Sequence, residues 1–480
     1  MEDGAVVTRT IDHRFWAQAR ERLPIALMVA ASTALLFADG VLKNGWIEVV
    51  LLAPVVWFLA APEVPERLKS LLLVVTIMCV TVSGLDLALR PIMHHRLNYT
   101  PLNVYAHKLP ELPIVGRWDP NLRLVDRLYG DLAAVSGQAA FREYREIAFL
   151  TDQAGFRNTS VPTEADVIVL GDSFAAGWGT TQDKVFAQLL ATRYGRRVYN
   201  LGYPGGPYDE FVNFCIESPR IRITPHAKVV WTLYAGNDLD DAGGETWEVE
   251  NLPWRGRLGQ WQVHFRTFRN RSPLNRLMET MRWRLSGKTV GVIVRELPDK
   301  RPVLFLGESE IWATRSRVEV ERHPNFAKLE RTLTAMRRRI EKDQLDLTIL
   351  ILPTKGQVYP WLLNQRMETV EAPASGFAEA VEGACGRARL RCLDTMPYLV
   401  KRARQVFAAT GELLWWRDDT HLGERGHEAV AEFIAEHVLG LNVGDAEPRG
   451  QKRLEAVVGA ARVWRGTTNT ATTRGHETPS

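Results

Sequence analysis

Cysteine is scarce in this chain: four in 480 residues, at positions 79, 215, 385 and 392. None forms a C-x-x-C pair, so neither a zinc cluster nor thioredoxin-type redox chemistry has its ligands. Cys79 lies in an apolar run and Cys215 in an expected helix, while Cys385 and Cys392 are near enough to pair in an oxidising compartment. Excess charge is lacking too. The 60 Lys and Arg nearly balance 56 Asp and Glu, and a net charge of +4 gives no general attraction for nucleic acid. There is no P-loop, no HExxH and no internal repeat, and neither a metal nor an organic cofactor is expected. What remains is the composition of a folded protein, 46% hydrophobic and 24% charged, with room for one large domain plus additions or two ordinary ones.

Long apolar runs are present, but only near the start. Residues 1–22 form a polar tail carrying Arg9, Arg14, Arg20 and Arg22. Leu23–Leu42, Trp46–Ala61 and Ser70–Leu89 follow, and about 20 apolar residues cross a bilayer. The first and third runs have that length. The second is short and holds Pro54, so it suits either a span or a re-entrant segment. Basic residues favour the N-terminal side, with Arg67 and Lys69 in the second short loop, which places the N-terminus in the cytoplasm. Three spans then put everything after Leu89 outside it. Asp39, Glu48 and Asp86 would lie near the outer ends of their segments, where acids cost least.

Residues 90–165 read as a connector packed on the later domain, with Phe149–Asn158 as a candidate edge strand. From Asp166 strands and helices alternate. The strands are expected at Val167–Leu170, Arg197–Leu201, Val229–Tyr234, Leu347–Leu352 and Leu390–Leu393. The helices are expected at Lys184–Tyr194, Asp209–Glu217, Phe326–Lys342, Phe377–Arg387 and His427–Leu439. That alternation predicts an α/β domain with a mostly parallel sheet covered on both faces. It spans 166–441 with an insertion at 242–324; the polar tail 442–480 is expected to be disordered.

The chemistry concentrates at strand exits. Val167-Ile-Val-Leu170 empties into Gly171-Asp172-Ser173 and a glycine-rich turn, which sets a serine hydroxyl at the carboxyl edge of the sheet. Gly202-Tyr-Pro-Gly-Gly206 follows the second strand and Gly236-Asn237-Asp238 the third. Just before the last helix stands Arg417-Asp-Asp-Thr-His421. Each block alone also suits a plain turn or a helix cap. Together they hold what acyl transfer through a serine needs: a nucleophile, a base, a group that orients the base, and oxyanion donors.

In that order the blocks resemble the GDSL/SGNH hydrolase family, over roughly Asp166 to Leu439. The resemblance implies a three-layer SGNH-hydrolase-like sandwich, here preceded by N-terminal transmembrane helices. It makes Ser173 the nucleophile, with Phe174 where many members have Leu, and His421 the base. The backbone N–H groups of Ser173 and Gly205 and the amide of Asn237 form the oxyanion hole. The family's D-x-x-H spacing, and a turn expected before the helix, favour Asp418 as the orienting acid. Asp419 is the alternative, since a branch similar to exopolysaccharide acetyltransferases uses D-x-H.

The insertion carries eight arginines against one acid, Glu279, between Arg255 and Arg284, with Trp254, Trp261 and Trp283 interleaved. It reads either as a solvated basic face or as a contact for anionic headgroups or acidic polysaccharide. Lys355, after the fourth strand, reads as an exposed loop residue or as one that reaches substrate.

With the three apolar runs, the resemblance implies a membrane-embedded serine esterase of the bacterial inner membrane, its catalytic domain expected on the periplasmic or extracellular side. Its expected substrate is an O-acyl, most simply O-acetyl, group on a cell-envelope carbohydrate. The alternatives are an O-acetyltransferase for exopolysaccharide served by a membrane acyltransferase partner, or a catalytically silent carbohydrate-binding scaffold. No nucleic acid is expected as a partner.

Overall fold

The structure, a computed structural model, describes residues 105–442 except 160, 258, 261, 264–271, 275–280, 282–290 and 365–374, together with 74, 78, 81, 84–86, 88 and 89. The chain divides into two compact units, 1–98 with 256–287 and 99–255 with 288–480. In the first, the buried Asp86 carboxylate accepts from Ser272 Oγ and Leu274 N, each at 2.8 Å, so the insertion meets the third apolar run. The runs at 23–42 and 46–61 and the tail 443–480 lie outside the described residues, as does most of 70–89. Among the described residues no helix is long and apolar enough to cross a membrane.

The second unit has eleven strands among its described residues. They are β1 (Ala106–Lys108), β2 (Gly116–Trp118), β3 (Arg123–Leu128), β4 (Arg145–Leu150), β5 (Ala165–Leu170), β6 (Val198–Asn200), β7 (Ile223–Tyr234), β8 (Val292–Glu296), β9 (Pro302–Leu306), β10 (Asp346–Leu352) and β11 (Arg391–Asp394). Five make one sheet in the order β11-β10-β7-β5-β6, with every neighbouring pair parallel. The later parts of β5, β7 and β10 (Val167–Leu170, Val229–Tyr234 and Leu347–Leu352) are buried, near-continuous apolar runs because both of their faces are covered. On one face Ile168, Leu170, Trp231 and Ile349 pack beneath helices Pro207–Glu217, Phe326–Lys342 and Gly376–Ala388. On the other, Val167, Val169, Val230 and Leu350 pack beneath Phe186–Thr192, Met396–Thr410 and Glu424–His437. Each fully buried large side chain contributes about 1.5–3 kcal/mol. The result is the three-layer α/β arrangement.

The helix Phe326–Lys342 shows why the pattern was readable. Phe326, Leu329, Leu333, Met336 and Ile340 are all buried and recur at helical spacing along one face. Cys385, at the end of its helix, is disulfide-bonded to Cys392 in β11, with Cα atoms 6.2 Å apart. Cys215 is free and buried.

The chain leaves β5 for β6 on one side, then returns to β7 on the other. That reversal opens a crevice at the carboxyl ends of β5 and β7, the usual ligand site of an open α/β sheet. Three antiparallel pairs, β1–β2, β3–β4 and β8–β9, stand outside the main sheet. The edge strand expected at Phe149–Asn158 is therefore corrected. Strand β4 ends at Leu150 and pairs only with β3, because Asp152 caps the following turn by accepting from Ala154 N and Phe156 N.

Candidate active site

Gly171 turns the chain out of β5 with φ +144°, and a Cβ there would lie 2.0 Å from Thr232 Oγ1, so only glycine fits. Asp172 then caps a one-turn helix, Ser173–Ala176, by accepting from Phe174 N at 2.8 Å. Burial pushes the Asp172 carboxyl up to about 6. Ser173 is left at the first position of that helix with its side chain partly exposed.

The second and third blocks close around this turn. Asn200 donates to Ala175 O at 3.0 Å and accepts from Gly202 N at 2.8 Å, and Tyr203 N reaches Gly171 O at 3.1 Å. A Cβ on Gly206 would lie 2.2 Å from Asp241 O, so the Gly205–Gly206 loop abuts the turn that carries Asn237. Asn237 Nδ2 donates to Asp241 Oδ2 at 2.6 Å, which leaves its second N–H for another acceptor.

His421 comes from the loop between Trp415 and Leu422, two residues joined by an antiparallel bridge. Its Nε2 lies 2.8 Å from Ser173 Oγ, and its Nδ1 lies 2.7 Å from Asp419 Oδ1. Asp419 Oδ1 also accepts from the His421 backbone N at 3.1 Å, and Oδ2 accepts from Arg145 Nη2 at 2.5 Å. With the Nδ1 proton directed at a carboxylate, Nε2 presents its lone pair to the serine hydroxyl.

The preference for Asp418 is corrected by this geometry. Its Oδ1 accepts from Arg145 Nη1 at 2.9 Å, and its Oδ2 accepts from Gly130 N at 2.7 Å and Glu143 N at 2.8 Å. The loop is a hairpin loop closed by the Trp415–Leu422 bridge, and the helix starts only at Glu424. Asp419 to His421 form a bend in which the His421 backbone N donates to Asp419 Oδ1, and this turn brings the acid two residues back, not three, to the imidazole.

The GDSL-like Lipase/Acylhydrolase family matches residues 169–429, more than half of the chain. The chain belongs to that family. Family membership makes it a hydrolase. No curated protein matches it. Seven solved chains do, one of them at 16% identity over 58% of this chain and 99% of its own, with a TM-score of 0.27. So loose a superposition carries no argument.

Outside the family match, the segment before β5 supplies most of what holds the base loop. Arg145 forks both Asp418 and Asp419 and lies 4.4 Å from the Trp416 ring. Arg157, fully buried, donates to Gln182 Oε1 at 2.9 Å and to the carbonyls of Ala148, Ala176, Gly177 and Thr180, tying β4 to the nucleophile turn. Burial pushes its guanidinium down to about 9. Asp131, which opens the helix Asp131–Ser136, accepts from Thr420 N at 2.9 Å and Thr420 Oγ1 at 2.5 Å. No local spacing marks Arg145 or Asp131, since their partners in the base loop lie 273 to 289 positions away.

Electrostatics follow from that packing. Burial works to raise the Asp419 carboxyl, but the hydrogen bond and charge of His421, with Arg145, hold it below the usual carboxylate range. Burial works to lower the His421 imidazole, but Asp419, joined by Asp131 and Asp172, holds it above its usual value. Asp131, Asp419 and His421 are also the one grouping among the described residues with metal-ligand spacing. Their oxygens and Nδ1 are already engaged with one another, Thr420 and Arg145.

Lys355 is neither exposed nor free to reach substrate. It is buried, and its Nζ donates to the carbonyls of Leu304 at 2.8 Å, Trp416 at 2.6 Å and Arg417 at 3.1 Å. Burial pushes its ammonium down to about 8. It pins the base loop to β9. Lys355→Met leaves those carbonyls without their donor and is expected to cost about 2 kcal/mol in denaturant unfolding. An unchanged midpoint would show that water replaces the ammonium.

Proposed function

We propose that the protein is a serine esterase that removes O-acyl groups, in particular O-acetyl groups, from a cell-envelope carbohydrate through an acyl-serine. The observation that carries this reading is the Ser173–His421–Asp419 relay at the crevice between β5 and β7. His421 Nε2 takes the Ser173 proton as Oγ attacks the ester carbonyl. The oxyanion forms against the N–H groups of Ser173 and Gly205 and the free N–H of Asn237. Each such donor lowers the barrier by about 3 kcal/mol. The proton on Nε2 passes to the leaving sugar oxygen, and water, activated by the same nitrogen, releases the acid.

The D-x-H geometry at Asp419 favours a second reading, transfer of the acyl group to a sugar hydroxyl with a membrane partner as acyl source. One experiment separates the two. The full-length chain is given a chromogenic acetyl ester with and without a polysaccharide acceptor. Acetate release without acceptor supports the esterase, and acceptor-dependent acetylation supports the transferase. Failure of Ser173 to react with a serine-directed phosphonate in folded protein would leave only the silent carbohydrate-binding scaffold.

The same proposal places the catalytic unit outside the cytoplasm, anchored by the three apolar runs. The Cys385–Cys392 disulfide supports an oxidising compartment. A reporter active only in the periplasm, fused after Leu439, is expected to be active. Activity from a cytoplasmic reporter alone would show that Trp46–Ala61 does not cross.

A further inference from the structure

The dyad of His421 and Asp419 has a third member that the proposed reaction does not name. Helix Asp131–Ser136 is docked on the base loop through its first turn: Gly130 N donates to Asp418 Oδ2, and Ala133 N donates to Asp418 O at 3.1 Å. A Cβ on Gly130 would lie 1.9 Å from Asp418 O, so the contact admits only glycine. This docking delivers the Asp131 carboxyl to the Nδ1 side of the imidazole. Its Oδ2 lies 3.8 Å from His421 Nδ1, and its two oxygens hold Thr420 through the backbone N and Oγ1. Carboxylate oxygens of Asp131 and Asp419 and the imidazole nitrogen all lie within 4.8 Å of one another.

Two carboxyls in such contact do not both ionise cheaply, so one keeps a proton and directs it at the other. The surroundings decide which. Asp419 has the Arg145 guanidinium on one oxygen and the imidazole on the other, and therefore holds the charge. Among the described residues Asp131 accepts from Thr420 alone, and its side chain is 22% exposed, so its proton exchanges with solvent. Burial and then the charge of Asp419 push the Asp131 carboxyl up to about 7. The other charged or titratable groups facing this cluster are Asp418 in the loop, Arg145 from β4, Lys355, Asp172, Tyr234 at the end of β7, and His427.

We propose that Asp131 is a positioning residue for the base: it shares a proton with Asp419, and losing that proton places a second negative charge beside His421. The proposal rests on the serine-hydrolase reading for its consequence in turnover, but not for its test. While Asp131 is neutral, its O–H occupies a lone pair of Asp419 and keeps one net charge on the Nδ1 side. When imidazolium forms, the positive ring favours release of the Asp131 proton to solvent, and the carboxylate then helps hold the cation. The two groups titrate as a pair, with His421 keeping its proton to higher pH than it would beside Asp419 alone.

The sign of the effect follows. Asp131→Asn is neutral at every pH, keeps an oxygen for Thr420 N and offers an N–H to Asp419. The titration of His421 should therefore move down, by about one pH unit for a charge near 4 Å in a partly solvated site. The experiment follows the imidazole of His421 in the full-length chain, labelled with ¹⁵N at histidine and assigned by comparison with His421→Gln. Wild type and Asp131→Asn are titrated from pH 5 to 10. This readout needs no substrate and no reactive serine, so it decides the inference even if the esterase reading fails.

If the protein also turns over an acetyl ester, the acid limb of kcat/KM should shift with the imidazole. The purely structural variant, Asp131→Ala, should lose activity at every pH. Superposable wild-type and Asp131→Asn titrations would overturn the proposal and leave Asp131 as a cap for Thr420. An upward shift in Asp131→Asn would overturn it too.

Discussion

Asp419→Asn is expected to cut turnover of an acetyl ester about 10⁴-fold in a fully folded protein, with Asp418→Asn costing less than about tenfold. The first effect is one of tautomers. Asp419 Oδ1 accepts the Nδ1 proton at 2.7 Å, which leaves Nε2 bare at 2.8 Å from Ser173 Oγ. An asparagine that presents its NH₂ group to the imidazole favours the tautomer protonated on Nε2, and a protonated Nε2 cannot take the serine proton. If the amide instead turns its oxygen to Nδ1, its NH₂ group meets Arg145, which has no acceptor to offer. Asp418 is different, because its three hydrogen bonds all lead away from the imidazole, to Arg145, Gly130 and Glu143. Its replacement should register in stability, by about 2 kcal/mol for a weakened charged acceptor. Kinetics and thermal unfolding of both variants provide the check. The reverse ranking of kcat would return the orienting role to Asp418.

Arg145→Met is expected to destabilise the protein by about 3–5 kcal/mol, the cost of leaving buried carboxylates without their cation. The Arg145 side chain is 7% exposed, and those of Asp418 and Asp419 are 1% and 2%. Its guanidinium serves both acids at once, and its Nε also donates to Gly179 O at 2.9 Å. Planar forked donors are required for that, so Arg145→Lys should recover little, because one ammonium cannot span both carboxylates. Unfolding curves of the three proteins at one pH test this. A loss under about 1 kcal/mol would mean that the two acids find other partners or take up protons.

These two cases mark where the sequence was legible. A strand that empties into Gly171-Asp172-Ser173 is a local pattern, and so is the helical repeat of Phe326, Leu329, Leu333 and Met336. Both depend on neighbours within a few positions, and both could be read. The choice between Asp418 and Asp419 depended on whether residues 415–422 lead straight into the helix or form a closed hairpin loop. The bridge between Trp415 and Leu422 decides that, and it is a tertiary event. Arg145 and Asp131 lie further out of reach. The first meets Asp418 across 273 positions and the second meets Thr420 across 289, in a segment with no periodicity of its own. Lys355 looked exposed because a lysine after a strand usually is. Only the converging carbonyls of β9 and the base loop account for its burial.

The span between Asp131 and Thr420 also sets the order in which the molecule acquires its chemistry. Ser173, Gly205 and Asn237 follow directly on β5, β6 and β7, the first three strands of the main sheet to be made. The base arrives 248 positions after the nucleophile, and it becomes oriented only when it meets a helix made long before. Closing so long a loop is slow, because its entropy must be met before any contact offsets it. During synthesis the chain therefore carries an unassisted alcohol through most of its length. In the proposed reaction it becomes a competent nucleophile in one late step, when the loop at 415–422 docks on the helix Asp131–Ser136.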